Sequence, residues 1–382
     1  MSGKTIEPGI RQLAPKVYEV RVGLGRAEDG RLVQRSRTVR GSLQAARRLR
    51  AEMLLAAGVS ERPRLVSVAE LGERWLADLE RRGKSPNTVH GYRSKWKHVD
   101  RHLGTRRIDQ VTTVMVNNIY SRLEEEGVSA ASLHHVHIVL RAAFNEAIRW
   151  GWISANPVRW ARPPEYRPDE INPPDDALVR RLIAEAAKEK GGAEMARLFF
   201  VAATTGARRA ELCGLRWGDI DWTTGSMAIQ RSLLDLPGQA VSEKGPKSRR
   251  GRRRVELDAA TLAVLEDQRA AMEARAIVAR VELDLNGYCF SDALDGTAPW
   301  RLDRITHAFT RARERLGVKG VRFHDLRHFV VTNALDAGVA IPALAQRTGH
   351  DPSIMLRVYG HGRPSSNRRA GEVAADLLQR PE

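Results

Sequence analysis

The spacing of apolar positions changes along the chain and predicts three stretches of different structure. In residues 16–25, KVYEVRVGLG, apolar and polar positions alternate, which places Tyr18, Val20 and Val22 on one face of a strand. A Gly-containing turn in GLGRAEDGRL leads to a return strand in LVQRSRTVRG. The period then lengthens. Ser42 is placed to cap a helix that Gly58 closes, with Ala46, Leu49, Met53 and Ala57 as its apolar stripe. Residues 1–62 therefore read as a small sheet-plus-helix domain. Helical spacing dominates residues 64–165. Ser67 and Glu70 fit a capping box, followed by Leu71, Trp75 and Leu79. A turn at Ser85-Pro86-Asn87-Thr88 opens a second helix carrying Val89, Tyr92, Trp96, Val99 and Leu103. Two more helices follow at about 112–126 and 130–150. A proline-rich stretch, 159–175, interrupts the helices and links to a third domain at 172–382. The predicted class is mainly α with small β-sheets, the last domain being mixed α+β.

Composition narrows the function. A chain of 382 residues with 42% hydrophobic content can build two or three real cores. Its formal net charge of +17 implies a polyanionic partner, nucleic acid being the simplest. A merely soluble basic surface is the competing explanation. Cys213 and Cys289 are the sole cysteines and form no CxxC, which argues against a disulfide framework or a Cys-based zinc site. His134, His135 and His137 lack the i, i+4 spacing that converges on one ion. No apolar run reaches the roughly 18 residues of a membrane span, and the first residues lack an apolar signal core, so a cytoplasmic location is expected.

The chemistry-bearing motifs lie in the third domain. An apolar helix runs into Thr205-Gly206, followed by Arg208, Glu211 and Leu212. A guanidinium can give two hydrogen bonds to phosphate oxygens. PKSRRGRRRVEL, 246–257, reads as a basic hairpin tip carrying Lys247, with Arg249, Arg250, Arg252, Arg253 and Arg254 either as phosphate contacts or as a solvated surface. His324 and Arg327 share one face of a helix start. His324 and His328 are also spaced i, i+4 like zinc-protease ligands, but Asp325 stands where that motif needs Glu. Finally, Gly349-His350 precedes Tyr359 by nine residues. A free phenol has pKa about 10 and needs a base or a positive field to attack at neutral pH.

Order, flanks and spacing of these motifs resemble those of the tyrosine recombinases, the family of phage integrases. The TGxRxxEL pattern is met without a gap, Pro246-Lys247-Ser248 departs from PKT by one residue, and Thr348 stands where the family usually has leucine before Gly-His. That last departure is expected to leave the chemistry untouched. The resemblance covers about 66–382 well and 1–62 loosely. It implies an arm-type DNA-binding domain, a helical core-binding (SAM-like) domain and a catalytic domain, in that order. It implies Tyr359 as nucleophile, Arg208 and Arg327 as phosphate ligands, Glu211 orienting Arg208, Lys247 as general acid, and His324 and His350 as proton-handling or phosphate-bonding groups. It implies site-specific cleavage and rejoining of double-stranded DNA at attachment sites by a homotetramer on two duplexes, through a 3′-phosphotyrosine, with neither metal nor ATP. It leaves room for a directionality factor or DNA-bending protein and places the chain at the bacterial nucleoid. Val373, Leu377 and Leu378 suit a short helix within 363–380, which the resemblance implies packs on a neighbouring subunit, packing on its own core being the alternative. A type IB topoisomerase, a transposase of the same chemistry and a non-cleaving DNA-binding protein remain as alternatives.

Overall fold

The computed structural model describes residues 4–7, 9–26, 32–56, 66–166, 172–189, 191–245 and 251–359, together with 372 and 375. The chain divides into two compact units, Met1–Pro168 and Asp169–Glu382.

The first unit begins with an antiparallel sheet of four strands in sequential order, β1 (Lys4–Glu7), β2 (Ile10–Ala14), β3 (Val17–Arg26) and β4 (Leu32–Arg40). The long pair β3–β4 is where alternation predicts it. β1 and β2 are additional, and four or five residues are too short to carry a legible period. α1 (Leu43–Ala56) is capped by Ser42, whose Oγ accepts from Ala45 N at 3.2 Å. Its Ala46 and Met53 close over Ile10, Val20 and Val22 to form a small core. Ala57 and Gly58 lie outside the described residues.

Four helices follow: α2 (Val68–Arg81), α3 (Pro86–Leu103), α4 (Thr113–Glu125) and α5 (Ala130–Arg149). Ser67, Thr112 and Ser129 cap α2, α4 and α5 by accepting a backbone N–H three residues on. Leu71, Trp75, Trp96, Val99 and Phe144 are buried in their shared core. Glycine inside a helix costs about 1 kcal/mol relative to alanine, yet Gly72 sits within α2. A Cβ there would lie 1.9 Å from Trp96 Nε1, so the glycine makes room for the indole. His137 does not stand alone, since its Nδ1 lies 2.9 Å from the Tyr120 hydroxyl.

The second unit is built on α6 (Asp176–Ala187), α7 (Gly192–Thr205) and the short α8 (Arg209–Cys213). A three-stranded antiparallel sheet joins β5 (Ile220–Asp221), β6 (Ser226–Ile229) and β9 (Arg253–Glu256), and a separate pair joins β7 (Ser232–Leu234) to β8 (Ser242–Lys244). The basic stretch is thus not the tip of one simple hairpin. The strand before it pairs with β7, and the strand after it pairs with β6. α9 (Ala259–Ala279) and α10 (Leu302–Arg315) complete a core in which Phe199, Phe309 and Phe323 meet with ring centroids 5.4 to 5.8 Å apart. α11 (Asp325–Asp336), α12 (Ile341–Thr348) and α13 (Pro352–Tyr359) gather around Val331, Leu344, Ala345 and Met355. The fold is mainly α with small sheets, as the hydrophobic spacing predicts.

Candidate functional site

Helix ends build the candidate site. α7 stops at Gly206, which adopts φ 66°, a left-handed conformation that glycine takes at little steric cost. Thr205 Oγ1 donates to Val201 O and accepts from Ala207 N, which ties down the turn. The chain then delivers Arg208 as the N-cap of α8, not as a residue within the helix. Glu211 Oε2 accepts from Arg208 N at 2.8 Å, and Glu211 Oε1 accepts from Arg208 Nη1 at 2.8 Å. The other terminal guanidinium nitrogen of Arg208, Nη2, donates to Gly349 O at 3.1 Å. Gly349 is itself a left-handed cap, closing α12 at φ 67°. Arg209 points elsewhere, donating to Thr306 on α10.

Arg327 comes from the first turn of α11 and is 1% exposed. Its Nη1 donates to Gly206 O at 2.7 Å, and its Nε lies 3.3 Å from His350 Nε2. The two candidate arginines are therefore positioned in the same way. Each donates to the carbonyl of a glycine that ends a helix. His324 stands at the N-cap of α11, and its ring meets His328 at a centroid distance of 5.1 Å. His350 Nδ1 lies 2.9 Å from Thr348 Oγ1.

Electrostatics follow from this packing. Partial burial, with His328, Arg327 and Arg208 nearby, pushes His324 down to about 4, although its outer edge is solvent-exposed. Burial, then Arg327 and Arg208, push His350 down to about 3. Both imidazoles are neutral at neutral pH, so the positive charge at the site comes from guanidinium groups. Burial acts to raise the Glu211 pKa, but hydrogen bonds and charge from Arg253 and Arg208 outweigh it and hold the carboxyl at about 2. A site with fixed cations and neutral imidazoles suits an anion that gains charge during reaction.

Of the residues singled out in the sequence, Arg208, His324, Arg327 and His350 come together here. Tyr359 is the last residue of α13, and only its backbone is described. Lys247, Arg249, Arg250, His361 and the 363–380 helix lie outside the described residues, apart from 372 and 375. Two expectations need correction. Arg253 is not a phosphate contact. Its side chain is 2% exposed, pairs with both Glu211 oxygens at 2.8 and 3.0 Å, and donates from Nε to Arg347 O. Thr348 is not inert, because its hydroxyl touches His350. Arg347, unremarked in the sequence, fastens α12 by donating to Glu256 O and Thr204 O. A basic run does not tell a buried arginine from an exposed one, but the alternation in Arg253–Glu256 could have. Arg253 and Val255 face inward there, while Arg254 and Glu256 face outward.

A mainly α-helical unit that gathers two arginines and two neutral histidines at its helix ends offers donors suited to the charge that develops in phosphodiester transfer. The phage integrase family model matches residues 175–365, and its N-terminal SAM-like domain model matches residues 73–151. The chain belongs to the phage integrase family, the tyrosine-type site-specific recombinases. It is 25% identical to a XerC-like tyrosine recombinase of Caldanaerobacter subterraneus subsp. tengcongensis, over 94% of this chain and 96% of that protein. It is 24% identical to the ICEBs1 integrase of Bacillus subtilis, over 74% of this chain and 75% of that protein. Among solved structures, the Tn1549 transposon integrase in complex with a circular intermediate DNA superposes with a TM-score of 0.68 at 21% identity, covering 81% of this chain and 99% of that one. A lambda integrase dimer bound to a COC' core site gives 0.59 at 17% identity, covering 94% and 97%.

Proposed function

We propose that this recombinase cuts and rejoins double-stranded DNA at attachment sites of a mobile element, with Tyr359 as nucleophile. The Tyr359 oxygen attacks the scissile phosphorus and releases the 5′ oxygen of the next nucleotide, leaving a 3′-phosphotyrosine. Lys247 protonates that leaving oxygen, and the tyrosine proton passes toward His324, which is neutral and able to accept it. Arg208 and Arg327 donate to the non-bridging oxygens, where negative charge grows in the pentavalent transition state. The exposure of Arg208 supports this role, since its side chain is 40% exposed while Glu211 holds its inner edge. A 5′ hydroxyl from the partner duplex then attacks the phosphotyrosine and frees Tyr359. The bond energy is retained throughout, so neither ATP nor a metal enters the balance.

The single observation that carries this reading is the convergence of Arg208, Arg327 and His350 from three separated motifs through two glycine carbonyls and one side-chain contact. The net charge of +17 supports a DNA partner, as do solved relatives bound to DNA. The lambda integrase tetramer on a Holliday junction supports a homotetramer acting on two duplexes. The working parse is arm-type binding by 1–62, core binding by 64–165 and catalysis by 172–382. Its support includes separate apolar cores at 10–53 and 66–161 and a compact unit that begins at Asp169. Among the described residues no helix is long and apolar enough to cross a membrane, and a reaction on DNA supports a cytoplasmic location.

A plasmid carrying two attachment sites, incubated with the protein and a chelator, tests this function. Site-dependent exchange products are expected. Relaxation of the plasmid without exchange would instead assign the chain to a topoisomerase activity.

A further inference from the structure

Thr348 ends α12 with its side chain fully buried, and its hydroxyl lies between two groups. Leu344 O, at 2.7 Å, can only accept, so the single hydroxyl proton goes there. Toward His350 Nδ1, at 2.9 Å, the oxygen then presents a lone pair, and Nδ1 must carry the proton. The opposite end of the ring gives the same answer independently. Arg327 Nε is a donor in every protonation state, so His350 Nε2, at 3.3 Å, faces it as a bare acceptor. Burial and the adjacent arginines keep the ring neutral at neutral pH, so just one of its nitrogens is protonated. Both neighbours therefore select the Nδ1–H tautomer in the free protein.

That tautomer cannot donate from Nε2 to a phosphate oxygen, the phosphate-bonding role that the family resemblance implies for His350. We propose that Thr348 is a positioning residue that sets the His350 tautomer, holding Nδ1–H in the free protein and admitting Nε2–H when a phosphate displaces the Arg327 contact. A hydroxyl can serve both states. Rotating its proton from Leu344 O to Nδ1 turns it from acceptor to donor, while His350 loses one proton to water at Nδ1 and gains one at Nε2, with no net change. A leucine or valine at this position could make neither bond. The inference rests on the proposed role of His350 in phosphate binding.

The test uses the full chain labelled with 15N-histidine. A long-range proton–nitrogen spectrum reports which nitrogen of each ring is protonated, and loss of a signal in His350→Gln assigns it. The free wild-type protein is expected to show His350 protonated at Nδ1. Thr348→Val should show the two tautomers mixed and should slow single-turnover cleavage of a nicked duplex about tenfold, the worth of one hydrogen bond of about 1.4 kcal/mol. Thr348→Ser should restore both the spectrum and the rate. A wild-type ring protonated at Nε2, a measurement that needs no variant to fold, would overturn the proposal. So would a folded Thr348→Val protein with an unchanged tautomer and wild-type cleavage. Unimpaired cleavage by His350→Gln would instead refute the role of His350 itself, leaving the tautomer measurement to stand alone.

Discussion

Arg208 and Arg253 grip the same carboxylate from two sides, and this decides what each can do. Glu211 gives both oxygens to Arg253, and shares Oε1 with the Arg208 guanidinium and Oε2 with the Arg208 backbone N–H. Arg253 is buried and fully engaged, whereas Arg208 keeps its outer edge open. The local sequence showed Arg208 because a guanidinium in TGxRxxEL has a defined neighbour three residues on. Alternation could mark Arg253 as inward-facing but not name its partner, which lies 42 residues away and is brought to it only by the fold. Removing one member of a buried ion pair costs about 3–5 kcal/mol, since the other is left charged in a poorly solvated place. Arg253→Met should therefore lower the unfolding free energy of the catalytic unit by about that amount in urea titrations. It should leave the salt dependence of DNA binding unchanged, whereas loss of a true phosphate contact would reduce the slope of log K against log salt by about one.

At the scale of elements, the site depends on where helices stop. α7 and α12 both end in left-handed glycines, and the carbonyls exposed there receive Arg327 and Arg208. The sequence announced α7 as an apolar helix running into Thr205-Gly206, whereas α12 and its stop at Gly349 came only with the structure. It did not announce that the carbonyls would be used, because backbone groups carry no sequence identity. β1 and β2 were equally hidden, being too short for a period. The pairing of β8 with β7 was hidden for another reason, since strand partners are chosen by the whole sheet and not by a neighbouring turn. Gly206→Ala should cost about 1–2 kcal/mol for the left-handed backbone. Its Cβ would also lie 3.3 Å from Thr348 Cγ2 and 3.5 Å from Val330 Cγ1. Because the same residue supplies the acceptor for Arg327, DNA cleavage measured in single turnover should fall further than the loss of folded protein explains. Equal losses would show that the carbonyl has no positioning role.

At the scale of the molecule, two compact units carry separate apolar cores, and most of the net positive charge lies in the first. The order of motifs made the catalytic unit legible from sequence, since Arg208, His324, Arg327, His350 and Tyr359 recur in a fixed sequence with fixed flanks. Composition alone pointed to a polyanion and no further. The central claim is that these groups serve one covalent step by Tyr359 on DNA, and the direct measurement is a suicide-substrate reaction. The protein is incubated with a nicked duplex bearing its attachment site, without metal and with chelator, and resolved on a denaturing gel. The account predicts a protein–DNA adduct that forms with the wild type and is absent with Tyr359→Phe. An adduct that persists in Tyr359→Phe, or no adduct from wild-type protein shown to bind that site, would contradict it.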